Sequence, residues 1–248
     1  MIDWLALAVA LPLIGATVAT ALPSRAATVG LVAGALTTAA ALSAAYQVAG
    51  SGPLRSDLGG WGAPLGIALE ADGLSAVLLT MANLVSLGVS VYALDYFAAG
   101  SRRHFWPLWL LLWASLNGLF LAADLFNLYV TLELLGISAA ALGALTGRRE
   151  AVAANLRYLL VGLLGSMTYL LGVALVYTGA GALDLGLAAA SLASGPLAWA
   201  AFALMVGGLL LKAALFPLHF WLPPAHAQAP APVSAALSAL VVKAAVYL

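Results

Sequence analysis

The chain has 248 residues, of which 65% are hydrophobic and only 7% charged, with nine Lys and Arg against nine Asp and Glu. So few charges cannot solvate a soluble domain of this length, a nucleic-acid binder needs a basic stripe, and a disordered chain needs low hydrophobicity. With no Cys there is no disulfide framework, thiolate nucleophile or Cys-ligated metal, and an integral membrane protein rich in Ala, Leu and Gly remains.

About 20 apolar residues cross the roughly 30 Å hydrocarbon core. Eight such segments are predicted, at about 4–22, 28–49, 73–97, 105–123, 125–146, 155–178, 197–217 and 233–248. Runs such as Leu74 to Leu94 are apolar on every side, which suits helices rather than the alternating strands of a membrane barrel. The first segment has Asp3 as its only charge and no basic leader, so it reads as a retained helix and not a signal peptide. Gly30-xxx-Gly34 in the second fits close helix packing. A Gly/Pro loop, Gly50 to Gly66, carries Arg55 and Asp57, and Asp72 and Asp95 bracket the third helix. Arg102-Arg103-His104 separates helices 3 and 4. Around that turn Tyr92, Tyr96, Trp106, Trp109 and Trp113 read as an interfacial aromatic belt. Asp124 joins helices 4 and 5 as an N-cap. Arg148-Arg149-Glu150 separates helices 5 and 6, and a longer loop from Gly179 to Pro196 has Asp184 as its only charge.

Basic residues set the orientation. Odd-numbered loops carry Arg25, Arg102, Arg103, Arg148, Arg149 and, at the start of helix 6, Arg157, while even-numbered loops carry only Arg55. Cytoplasmic loops hold the excess of Lys and Arg, so the N-terminus is expected on the non-cytoplasmic side of the plasma (inner) membrane. The last segment, 233–248, would span about 24 Å at 1.5 Å per residue, short of a full crossing. It stops without a polar cap, so a fragment or a split gene product is expected.

All seven Arg lie outside the apolar runs, whereas both Lys, Lys212 and Lys243, lie inside them. Glu133 joins them, nine residues past Asp124 and so about 14 Å into the bilayer. A charge at that depth costs at least roughly 2.5–3.5 kcal/mol. Burial disfavours the charged form of each group and an opposite charge nearby restores it, so the balance lets a Lys load and release a proton, which Arg cannot do. The competing reading is a static Glu–Lys pair that holds helices together, or Lys snorkelling to an interface. A broken stretch follows Lys212. Pro217, Pro223, Pro224, Pro230 and Pro232 interrupt it, and His219 and His226 flank the break. Pro217 removes one helical hydrogen bond, and non-helical backbone at membrane depth lines ion sites in transporters. His can shuttle protons, although a surface loop with two ordinary His and an interfacial Trp221 fits the same residues. Seven residues of separation, prolines between and no nearby carboxylate argue against a metal site from the two His.

The stretch Leu211-Lys212 to Pro217-Leu-His-Phe-Trp-Leu-Pro, with Ala225-His226, Ala229-Pro230, Val233-Ser234 and Val242-Lys243, resembles the proton-translocating, antiporter-like subunits. These belong to respiratory complex I, membrane-bound hydrogenases and Mrp-type cation/proton antiporters. Asp124-Leu-Phe-Asn-Leu-Tyr-Val, leading into Glu133, is similar to their fifth helix. The likeness is strongest over 105–248; helices 1–3, residues 1–104, match in number and hydrophobicity more than in motif. The resemblance implies that Glu133 pairs with Lys212 on a broken helix 7, that Lys243 on helix 8 passes the proton onward, and that His219 and His226 lie in the linking region. It also implies that helices 4 to 8 are the first of two inverted five-helix repeats, the second being absent from this sequence.

The expected architecture is an all-α, polytopic transmembrane bundle of about eight helices with a discontinuous helix 7. The expected function is proton translocation within a complex I-type or hydrogenase-type respiratory complex. The alternative is the D-type component of an Mrp-type Na⁺/H⁺ antiporter, without redox coupling. Other membrane subunits, the lipid bilayer and protons (with Na⁺ in the alternative) are the expected partners; no nucleic acid is expected. No flavin, iron–sulfur or nucleotide pattern is present, so no cofactor or catalytic site of its own is expected.

Overall fold

Asp3 starts the first helix by accepting the amide of Ala6 on its carboxylate, which satisfies one of the orphan donors of a helix N-terminus. The computed structural model describes residues 2–64 and 66–248; Leu65 of the predicted loop and the side chain of Arg102 lie outside the described residues. In chain order the elements are α1 (Trp4–Ala21), α2 (Ala26–Ser51), β1 (Leu54–Asp57), β2 (Ala68–Ala71), α3 (Gly73–Tyr96), α4 (Ala99–Leu121), α5 (Leu125–Gly143) and α6 (Arg149–Ala180). A short α7 (Leu185–Ser191), α8 (Pro196–Lys212), a short α9 (Leu222–Gln228) and α10 (Ala231–Tyr247) follow. The first six long helices are each apolar and long enough to cross a membrane, and α8 and α10 are shorter apolar helices. This is the expected all-α polytopic bundle.

Several boundaries differ from the sequence reading, for local reasons. Arg103 and His104 do not separate helices, because α4 already begins at Ala99. The Gly/Pro loop is partly ordered as a hairpin, with Leu54, Arg55, Ser56 and Asp57 opposite Ala71, Glu70, Leu69 and Ala68. The loop after α6 contains α7, which Asp184 caps by accepting the Leu187 amide. Asp124 does cap α5, through the Asn127 amide at 2.7 Å, and Asp72 forms a capping box with Ser75 at α3. The last helix starts at Ala231 and contains a π-helical stretch, Leu237–Val241.

α4 is the central column, in contact with α1, α2, α3 and α5. The tryptophans expected at an interface lie at its heart instead: Trp106, Trp109 and Trp113 are fully buried. Gly30 and Gly34 of α2 make the space. A Cβ at Gly30 would overlap the Trp106 ring, and one at Gly34 would come within 2.7 Å of Trp113. The close-packing motif thus seats aromatic rings of a neighbouring helix. Two of the indole N–H groups are matched inside: Trp109 donates to Ser90 Oγ at 2.8 Å and Trp113 to Asn83 Oδ1 at 2.7 Å. Asn83 in turn donates to Asn117, and Asn117 to the Ala8 carbonyl, tying α3, α4 and α1 together. Tyr92 and Tyr96, by contrast, are exposed as an interfacial pair would be.

Three even-numbered connections and the N-terminus meet at one end of the bundle. Ser56 donates to the Asp3 carboxylate. Ala123 donates to Ala68, Leu125 to Leu183 and Leu185 to Ala123, so residues 122–124 lie between the hairpin and the α6–α7 link. Arg55 closes this end by reaching Asp184 at 2.6 Å and Glu70 at 3.2 Å. Burial alone would push the Asp184 carboxyl up, but the Arg55 guanidinium and the Leu187 amide outweigh it and hold it below the usual carboxylate range. At the opposite end Arg148 donates to Gln228 and the Ala231 amide to the Tyr96 hydroxyl.

Gly30→Ala should therefore destabilise the detergent-solubilised chain by about 1–3 kcal/mol, as overpacking does. Gly88→Ala, where a Cβ meets open space, should be neutral; equal melting temperatures for the two variants would refute the seat. The Arg55–Asp184 clamp has a depressed carboxyl, so its contribution is present above the ordinary aspartate pKa and is lost as pH falls through the lowered value. Protection of the amides at 54–57 and 68–71, taken relative to their intrinsic exchange at each pH, should fall below about pH 4, and Asp184→Asn should show that lower protection already at neutral pH.

Candidate functional site

The expected break in helix 7 is present, but it begins at Lys212 rather than at Pro217. The end of α8 is a Schellman cap: Ala214 donates to Leu211 and Leu215 to Leu210, with Ala214 in the left-handed region at φ 52°. Glycine usually holds that position, and an alanine there costs roughly 1–2 kcal/mol. Pro217 then stands past the cap and helps keep the helix from resuming. Trp221 ties the returning chain to the stop, its indole N–H donating to the Leu211 carbonyl at 3.2 Å. It is buried, not interfacial.

Lys212 is thus the last helical residue of a half-helix that ends inside the bundle. The carbonyls of a helix C-terminus carry partial negative charge and favour an ammonium. A full negative charge comes from α5: Lys212 Nζ lies 3.4 Å from Glu133 Oε1 and donates to the Leu132 carbonyl at 3.2 Å. The side chains are 10% and 18% exposed, so little bulk water screens the pair. Glycines clear the approach. A Cβ at Gly165 of α6 would stand 3.2 Å from Lys212 Cγ, and one at Gly136 would stand 3.8 Å from Nζ. Gly172 and Gly208 likewise let α6 and α8 pack backbone to backbone. A small cavity, with about 30 Å³ open to water centres, lies beside the pair, lined among others by Tyr158 and Trp221.

The other expected residues are placed differently. His226, on α9, is half-buried with Nδ1 3.2 Å from Ser234 Oγ, and the charge of Lys243 reaches it. Lys243 is exposed and donates to the Ser238 carbonyl, inside the π-helical stretch of α10. His219 is exposed in the turn after the break, its ring 5.6 Å from that of Phe216. The fold therefore joins Glu133 with Lys212 and lets the charge of Lys243 act on His226, while among the described residues His219 has no hydrogen bond or ion pair to any of these four. Sequence reasoning passes over Tyr158, whose ring stacks on Trp221 at 4.8 Å and 14°. A signal for it exists: Asn155, Tyr158, Gly162 and Gly165 recur at helical spacing along one face of α6.

Known proteins resemble this chain in both sequence and fold. Residues 122–248 match the family model described as NADH:quinone oxidoreductase/Mrp antiporter, TM. The NADH-quinone oxidoreductase subunit N of Desulforudis audaxviator is 41% identical over 201 residues, covering 79% of this chain and 40% of the relative. A probable K(+)/H(+) antiporter component of Rhizobium meliloti is 38% identical over 197 residues, covering 77% of this chain and 36% of the relative. Among solved structures, a chain of the membrane-bound sulfane sulfur reductase, an archaeal respiratory membrane complex, superposes with a TM-score of 0.93 at 34% identity, over 98% of this chain and 51% of that one. The chain thus spans about 40% of the length of the curated relatives it matches. It is a multi-pass membrane protein and belongs to the NADH:quinone oxidoreductase/Mrp antiporter transmembrane family.

Proposed function

We propose that this chain provides proton-relay helices of an antiporter-like membrane subunit, with residues 105–248 as the first five-helix repeat and a second repeat supplied by further polypeptide. The observation that carries the reading is the Glu133–Lys212 pair at the end of a half-helix within the bundle. Paired, Lys212 keeps its proton; when Glu133 moves away, the desolvated ammonium loses its counter-charge and gives the proton up. His226 and Lys243 then receive it in turn, each new charge altering the next site. His219, exposed in the turn, serves as a group at the mouth of the path rather than within it.

The energy source follows from the partners. In the first reading the chain works among other membrane subunits of a respiratory complex that hold all redox chemistry. The likeness to the respiratory relatives supports this. The second reading, cation/proton exchange without redox, is supported by the antiporter relative at 38% identity. The Arg distribution supports a plasma-membrane orientation with the N-terminus, and hence the Arg55 clamp, on the non-cytoplasmic side.

Lys212→Ala should abolish proton translocation by the assembled complex in proteoliposomes, and Glu133→Gln should slow it by at least about tenfold. Full activity in both variants would leave the pair as structural glue. In the same vesicles, proton movement that needs an added cation and no electron donor selects the antiporter reading; movement that needs electron transfer selects the respiratory one.

A further inference from the structure

Among the described residues, no direct hydrogen bond links the Glu133–Lys212 pair to His226. Lys212 is bonded to Leu132 and Glu133, and His226 to Ser234. Each faces its own small cavity, with about 30 Å³ open to water centres beside Glu133 and Lys212 and about 10 Å³ beside His226. The two cavities share three lining residues, Tyr158, Trp221 and Val241. On the relay reading, a proton passing from Lys212 to His226 crosses this shared wall. Val241 has no exchangeable side-chain proton. Trp221 has only a donor, already given to the Leu211 carbonyl. Tyr158 is buried, its ring is held flat against Trp221, and the charge of Glu133 reaches it. Its hydroxyl both donates and accepts.

We infer that Tyr158 is the step between the two cavities: its hydroxyl hands the proton from the Lys212 side to the His226 side. This rests on the relay reading above. The transfer balances without a net charge on tyrosine. The phenolic oxygen forms a new O–H bond with the proton released by Lys212, directly or through a water in the larger cavity. Its own O–H bond breaks and that proton goes to the His226 imidazole, directly or through a water in the smaller cavity. Rotation about the C–O bond resets the group. The ionisable groups around it are Glu133 from α5, Lys212 from α8 and His226 from α9, with Lys243 of α10 beyond His226.

The test uses the assembled complex in proteoliposomes. Tyr158→Phe keeps the stack on Trp221 and removes only the hydroxyl; it should lower translocation by at least about tenfold. Tyr158→Ser loses the stack but keeps a hydroxyl and admits water, so it should retain more activity than Phe. A purely structural role predicts the opposite order, and translocation by Tyr158→Phe within about twofold of the unsubstituted complex overturns the inference. If Tyr158→Phe lowers the yield of intact complex, a ring-fluorinated tyrosine at the same position keeps both ring and hydroxyl while making the hydroxyl more acidic. A changed pH profile of translocation supports the step, and an unchanged one overturns it. Lys212→Ala measured in parallel separates the two claims. Loss of activity there with full activity in Tyr158→Phe removes this step alone, whereas full activity in Lys212→Ala removes the relay reading itself.

Discussion

A half-helix that stops in the middle of a bundle creates the problem around which this structure is organised. Its last carbonyls have no helical donors, and in lipid such groups must be satisfied internally. The chain meets that demand with two devices at one place, the Schellman amides of Ala214 and Leu215 and the indole of Trp221, beside the ammonium of Lys212 on the last helical residue. The ammonium then requires a counter-charge, and Glu133 supplies it from α5. A buried pair of this kind is poor evidence for stability, because desolvation consumes most of the attraction. Gly136 and Gly165, with no side chains of their own, leave space around it.

The remaining fold keeps this site in register. α4 is locked to α1, α2 and α3 by tryptophans in glycine seats and by a chain of Asn and Ser hydrogen bonds. α5 follows α4 almost directly, and both neighbouring connections are pinned to the hairpin by Arg55 and backbone pairing. Glu133 is therefore carried on a helix fixed at its N-terminal end, while Lys212 sits beside an irregular segment with its own turns. Motion is cheaper on the second side, where the backbone has few regular hydrogen bonds. The π-helical stretch beside Lys243 is a second irregularity of the kind that recurs at functional sites.

Much of this is legible in the residues. The apolar segments, the N-cap at Asp124 and the meeting of Glu133 with Lys212 follow from hydropathy, cap chemistry and the cost of lone charges in lipid, whereas Asp3 and Asp72 turn out to be caps as well. What escapes does so for physical reasons. Pro217 draws attention to itself, yet a left-handed alanine ends the helix before it, and no propensity rule puts alanine there. The hairpin strands are four residues long and sit among Gly and Pro, below what alternation can resolve. Trp106, Trp109 and Trp113 read as interfacial because tryptophan is common there. The glycine seats that bury two of them lie on α2, far away in sequence, so only tertiary packing reveals the match. His219 reads like its neighbour His226 in sequence but lies on the exposed side of the turn.

If the relay works as proposed, the Glu133–Lys212 contact opens and closes as protons move. Isotope-edited infrared difference spectroscopy of the Glu133 carboxylate, recorded in the working complex with and without its driving gradient or electron donor, reads that contact directly. The account predicts a band that shifts between hydrogen-bonded and free positions with turnover. A band that stays fixed while protons cross the membrane would contradict it.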